Sequence, residues 1–144
     1  FAFAELADVA CVTVLGRTPQ RVTGLVDDLQ AASPVEIFAG SLSDDLDKAV
    51  SEHDVIINGT PTGMYPASEN ETLVTKAMLR KEQVVFDIVY RPLRTRLLRE
   101  AEEGGCKTIE GIEMLLNQAA LQFERWTGQP APYQAMRTAV GARL

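Results

Sequence analysis

The 144-residue sequence has one histidine, one tryptophan and two cysteines, and its 14 Lys and Arg are outnumbered by 20 Asp and Glu. Each shortage removes a class of function. A net charge of -6 argues against a nucleic-acid surface, which needs clustered Lys and Arg, though a small basic pocket is compatible with it. With His53 alone, and Cys11 and Cys106 far apart in sequence, there is neither metal-ligand spacing nor a disulfide framework. The two cysteines read as buried free thiols, and a reducing cytoplasm fits them. His53 has no Ser, Cys or carboxylate arrangement that its spacing supports, so it is assigned no role. No apolar run approaches about 20 residues, so no membrane span is expected. What remains, 46% hydrophobic and 24% charged, is an ordinary globular composition.

The hydrophobic periodicity alternates between two kinds. Cys11–Leu15, Val35–Ala39, Asp54–Asn58, Val84–Tyr90 and the short Cys-Lys-Thr-Ile-Glu run are strand-like. Between them, Arg17 to Ala32, Ser43 to Glu52 and Thr95–Gly105 are helical, with a short helical turn near Thr75–Arg80. In the first of these Thr18 can cap, Pro19 suits the first turn, and Val22, Leu25, Val26 and Leu29 fall at helical spacing. Gly111–Gly128 is the longest helix, and a terminal helix follows from Ala131. The chain opens "FAFAELADVA" as the end of a helix. Strands alternating with helices predict an α/β fold with a parallel sheet in one continuous unit. The near-continuous apolar run before Asn58 predicts a strand buried on both faces.

In such sheets ligands bind beyond the carboxyl ends of the strands. "GRTPQR" (16–21) places Arg17 at a strand end, Arg21 one helical turn on, and the Thr18 hydroxyl at the helix start. Two guanidiniums and a helix N-terminus suit a dianionic phosphate, and an arginine here accommodates the 2′-phosphate of NADP where a carboxylate would bind the free hydroxyl of NAD. The plainer reading is two solvated arginines beside a turn. "NGTPTGMYP" (58–66) is longer than a surface turn needs and carries apolar side chains. The Asn58 amide can bond loop backbone, and Gly59 and Gly63 let that backbone approach a ligand; a merely rigid loop is the alternative. Asp87, a carboxylate inside an apolar strand, needs partners, as a salt bridge, a cap for a neighbouring loop or a direct participant. On the long helix Gly111, Met114 and Gln118 share one side, beside a core stripe of Ile112, Leu115, Ala119, Phe123 and Trp126.

These strand ends, in this order, resemble the C-terminal half of shikimate dehydrogenases. "GRTPQRV", "INGTPTGMYP", "VVFDIVYRPLRTRLL" and "GIEMLLNQAALQFERWTG" carry the resemblance, which covers almost the whole chain. It implies a Rossmann-like doubly wound sheet, here the NADP-binding domain over residues 1–144. It further implies that Arg17, Thr18 and Arg21 hold the adenosine 2′-phosphate. Asn58 and the residues after it, Thr60 among them, would line the cofactor cleft. Ile88 and Gly111 match positions on the nicotinamide side, and Tyr90 and Gln118 positions that reach the substrate. The implied reaction is reduction of 3-dehydroshikimate to shikimate by NADPH, in aromatic biosynthesis. Gly16 departs from the family's usual Asn. The family's Lys and Asp catalytic pair, its first strand and its Gly-rich phosphate loop have no match in the chain. The resemblance therefore implies a fragment without catalytic residues of its own. A quinate/shikimate dehydrogenase preferring NAD is the neighbouring reading, with Arg17 and Arg21 against it. A non-catalytic nucleotide-binding module is the reading from another class. A homodimer is compatible with the sequence; nucleic acid and membrane are not expected partners.

Overall fold

The computed structural model describes residues 8–141. The helix end expected from Phe1 to about Val9 falls largely outside them. The chain divides into two compact units, Phe1–Glu52 and His53–Leu144.

In the first unit, β1 (Cys11–Gly16) and β2 (Glu36–Ser41) pair in parallel, Cys11 opposite Glu36 and Gly16 opposite Ser41. Between them runs α1 (Pro19–Ala32), which packs on both strands, and after them α2 (Leu46–Glu52). A parallel pair needs a crossover of this length. Leu29 and Ile37 are buried, with Val12, Val14 and Val26 packed against them. Val22 is also buried, but Leu25 is exposed, so the inward stripe of α1 is narrower than its apolar residues suggest. Gln30 completes the packing with polar bonds: its Oε1 accepts from the Ile37 amide (3.0 Å) and its Nε2 donates to the Val35 carbonyl (3.1 Å). The side chain thereby satisfies backbone groups of Val35 and of β2.

The second unit holds a three-stranded parallel sheet in the order β3 (Val55–Asn58), β4 (Val84–Asp87), β5 (Lys107–Ile109). A 3-10 turn at Lys76–Met78 precedes β4. The helices are α3 (Arg96–Glu103), α4 (Gly111–Thr127) and α5 (Tyr133–Gly141). α3 packs on β4 and β5 with Leu97, Leu98 and Ala101 buried. These pairings are the neighbours that a doubly wound order 3-2-1-4-5-6 prescribes for its second and third, and for its fourth, fifth and sixth strands. The α/β, Rossmann-like expectation is met.

Several local expectations need correction. β3 is not buried on both faces: Val55 is 45% and Ile57 41% exposed, while Ile56 and Asn58 between them are half-buried. The strand pairs only with β4 among the described residues, and its alternate residues face opposite sides of the sheet. β4 stops at Asp87 instead of reaching Tyr90, because the Asp87 carboxylate accepts the Val89 amide and turns the chain. Trp126 is 79% exposed and is not a core residue; the buried residues of α4 are Gly111, Ile112 and Leu116. Its position near the last turn of α4, before the left-handed Gly128 cap, carries it past the packed end of the helix. Cys11 and Cys106 are half-buried, not buried. Cys11 opens β1 and Cys106 immediately precedes β5, each at the margin of a sheet among the described residues, where cover is partial. What burial Cys106 has raises its thiol pKa.

Candidate active site

At the carboxyl end of β1 the chain passes through Gly16, Arg17 and Thr18 into α1. Thr18 occupies the N-cap position with extended backbone, and its carbonyl accepts from the Arg21 and Val22 amides (3.1 and 3.2 Å). Its hydroxyl makes no cap bond, contrary to the expected capping role. Pro19 supplies the preset φ of the first turn. Arg17, Thr18 and Arg21 are all exposed, and neither guanidinium is in an ion pair among the described residues. A Cβ at Gly16 would stand 2.5 Å from Cγ2 of the buried Val22. The departure from Asn at this position thus has a steric cause in this chain: Val22 fills the space.

In the second unit β3 and β4 end level, Asn58 opposite Asp87. Asp87 is fully buried, at 0% exposure. Its Oδ1 accepts from Asn58 Nδ2 (2.9 Å) and the Val89 amide (3.1 Å), and its Oδ2 from the Thr95 hydroxyl (2.6 Å). It makes no salt bridge among the described residues. Of the roles open to it, the bonds formed are those of a cap for neighbouring segments. Thr95 is itself the N-cap of α3, accepting from the Leu98 amide (3.3 Å). Asn58 divides its amide: Nδ2 also reaches the Thr62 carbonyl (3.2 Å), and Oδ1 takes the Thr60 amide (3.0 Å) and hydroxyl (2.7 Å). The loop after β3 is thereby tied to the strand end.

Farther out the same loop is held again. The Ser68 hydroxyl accepts from the Gly63 amide (3.1 Å) and lies within bonding distance of the Pro61 carbonyl (3.0 Å). The Tyr65 amide donates to the Arg91 carbonyl (2.9 Å), and the Arg91 guanidinium lies 4.6 Å from the Tyr65 ring centre, a cation–π contact. The loops after β3 and β4 are therefore joined at base and tip. Gly63 has φ +94 and a buried position facing Thr95, so its glycine serves the turn and not a close approach of ligand. Gly59 is exposed with open space where a Cβ would be.

Ile88 and Gly111 are brought together. A Cβ on Gly111 would lie 2.5 Å from the Ile88 carbonyl oxygen and 2.6 Å from that of Val89, so only glycine lets the turn after β4 seat on the first turn of α4. The Ile88 amide donates to the Asn58 carbonyl (3.2 Å), linking the two strand ends once more. Tyr90 and Gln118 are exposed. Sequence reasoning singled out Asn58, Thr60, Ile88 and Gly111 but missed Thr95 and the Tyr65–Arg91 clasp. For Thr95 a signal existed, a threonine immediately before a helical run. For the clasp none did, since residues 65 and 91 meet only through the fold.

α4 is anchored at its other side. Glu113 pairs with Arg137 of α5 and accepts from the Tyr133 hydroxyl (3.0 Å). The Arg137 hydrogen bond, aided by Tyr133 and opposed by partial burial, holds the Glu113 carboxyl below the usual glutamate range.

Comparison with known proteins gives this arrangement a context. Residues 111–140 match the family model for the shikimate 5'-dehydrogenase C-terminal domain. The NADP(+) shikimate dehydrogenase of Methanosarcina mazei is 42% identical over 139 residues, 96% of this chain and 49% of that protein. Among solved structures, a shikimate dehydrogenase crystallised in complex with NADP+ aligns with TM-score 0.81 and 29% identity, over 94% of this chain and 55% of the other. Quinate dehydrogenase from Corynebacterium glutamicum, in complex with NAD, aligns with TM-score 0.81 and 25% identity, over 94% and 56%. This chain spans about half the length of the curated relatives it matches. By sequence and by fold, it is similar to shikimate dehydrogenases over about half of their length.

Proposed function

We propose that this chain is the NADP(H)-binding part of a shikimate dehydrogenase, an oxidoreductase that interconverts 3-dehydroshikimate and shikimate. The observation that carries the cofactor reading is the pair of exposed guanidiniums, in no ion pair among the described residues, of Arg17 just before α1 and Arg21 in its first turn. A dianionic phosphate matches two such groups and the Thr18 hydroxyl, and a free ribose hydroxyl does not need them. In the second unit Ile88 and Gly111 would flank the nicotinamide, with Asn58 and Thr60 shaping the loop beside it. The bound cofactor supplies the hydride. This chain's own residues bind and orient: Tyr90 and Gln118, both exposed, would reach the substrate's polar groups. No residue of the chain is assigned the proton transfer, so the purified 144-residue chain is expected to give no NADP+ reduction with shikimate. That all 144 residues form one cofactor-binding domain is part of the same proposal.

A second reading has support in the likeness to an NAD-bound quinate dehydrogenase. A purely nucleotide-binding module is the third. Titration of the purified chain with NADPH and NADH separates the first two. The expected result is tighter binding of NADPH, and loss of that preference in the Arg17→Ala/Arg21→Ala double variant. Each lost charge-assisted bond is worth about 1.5–3 kcal/mol. Equal weakening for both cofactors would show that these arginines are not the 2′-phosphate site. In a chimera carrying the remaining half of the M. mazei relative, Tyr90→Phe and Gln118→Ala should lower kcat or raise the KM for shikimate while sparing the KM for NADP+. A chimera without shikimate oxidation would favour the binding module.

A further inference from the structure

We infer that Asp87 is a positioning residue: from its buried seat at the end of β4 it sets the Asn58 loop and the Ile88–Val89 turn in the arrangement that receives the nicotinamide end of the cofactor. The inference rests on the NADP(H) reading above and names a residue that acts through others.

A carboxylate at 0% exposure, with no cation beside it among the described residues, is a costly choice for a strand whose other fully buried residue is Val85. Two positions earlier on the same face an apolar side chain suffices. The difference lies in the place: Asp87 is the last residue of the ladder, where three segments converge. Its three donors come one from each, Asn58 at the end of β3, Val89 in the turn after β4, and Thr95 at the start of α3. An ionised carboxylate is acceptor-only and can take all three at once, which no neutral side chain of this size does.

The consequences run outward from that geometry. Because Asp87 accepts only, the Asn58 amide must present its NH2 inward, and its oxygen is thereby aimed at the Thr60 amide and hydroxyl. The loop's conformation follows from the orientation of one amide. On the other side the Val89 bond closes the turn that carries the Ile88 carbonyl, and this carbonyl has no slack against Gly111. Substituting Asp87→Asn creates a conflict in either orientation. With its NH2 toward Asn58 and Val89, donors face donors. With its NH2 toward Thr95, the Thr95 hydroxyl, which donates to Oδ2 and accepts from Leu98, loses the acceptor for its own hydrogen.

The test compares two ligands of the purified chain. 2′,5′-ADP carries the adenosine and its 2′-phosphate but no nicotinamide; NADPH carries both, and its fluorescence reports the nicotinamide's surroundings. Asp87→Asn is expected to weaken NADPH about tenfold, the size of one lost buried hydrogen-bond partner, and to reduce the fluorescence change, with 2′,5′-ADP affinity unaltered. A folded variant that binds NADPH as the wild type does overturns the inference, and so does equal weakening of both ligands, which marks a merely structural role. Should Asp87→Asn not fold, Thr95→Val and Thr95→Ser decide: selective loss of NADPH in the valine variant, restored by serine, supports the inference, and wild-type behaviour in both overturns it. A wild-type chain that binds 2′,5′-ADP no better than adenosine refutes the NADP(H) reading instead, a separate result.

Discussion

Replacing Gly111 by alanine adds one methyl group, and the structure says where it goes. The new Cβ would lie 2.5 Å from the Ile88 carbonyl oxygen, 2.6 Å from its carbon and 2.6 Å from the Val89 oxygen. All three are backbone atoms, so no rotamer change relieves the clash; either α4 or the turn after β4 has to retreat. The turn is bonded to Asp87 and to Asn58, and α4 buries Ile112 and Leu116, so both sides resist. Overpacking of this kind costs about 1–3 kcal/mol. Alanine's helix propensity, worth up to about 1 kcal/mol in a helix interior, recovers little at the first position. At about 2–4 °C per kcal/mol for a chain of this size, the melting temperature should fall by several degrees. Gly24→Ala is the matched control. Gly24 lies inside α1 with nothing within 4 Å of a built Cβ. There the same methyl should stabilise by about 0.5–1 kcal/mol. Urea and thermal unfolding of the wild type and both variants, followed by circular dichroism, measures the contrast. A Gly111→Ala variant as stable as the wild type, at unchanged m-value, would refute the tight seating of α4 on the β4 turn.

Two further predictions concern the whole chain. Glu113 has a folded pKa below its unfolded value, so its pairing with Arg137 stabilises fully above the ordinary glutamate range and is lost as pH falls through the depressed value. Acid titration of stability should show this loss, and Arg137→Met should flatten that part of the profile; an unchanged profile would show that the pair contributes nothing. Among the described residues β1 pairs only with β2 and β3 only with β4, and β3 carries exposed Val55 and Ile57. Open apolar strand edges invite pairing between chains, so the purified chain should self-associate with rising concentration, and light scattering from a monodisperse monomer would contradict this.

The sequence by itself determined the alternation of strand and helix, because burial of parallel strands and of amphipathic helices imposes different apolar periods on the chain. It also marked the strand ends where chemistry collects: Arg17 and Arg21 after one apolar run, Asn58 after another, and Gly111 at the start of the longest helix. Periodicity did not reveal which apolar face would be covered. Val55, Ile57 and Trp126 read as core and are exposed, since burial depends on what packs against an element and not on the element alone. Nor could the pattern tell that β4 ends at Asp87, because the turn is made by a side-chain bond to Val89. Only the tertiary structure decided the partners of Asp87. Asn58 and Thr95 stand 29 and 8 residues from it in sequence, and the parallel register of β3 and β4 sets Asn58 opposite it. A lone carboxylate in an apolar run announces that partners exist; which residues they are is fixed by strand register, a nonlocal quantity that no local spacing contains.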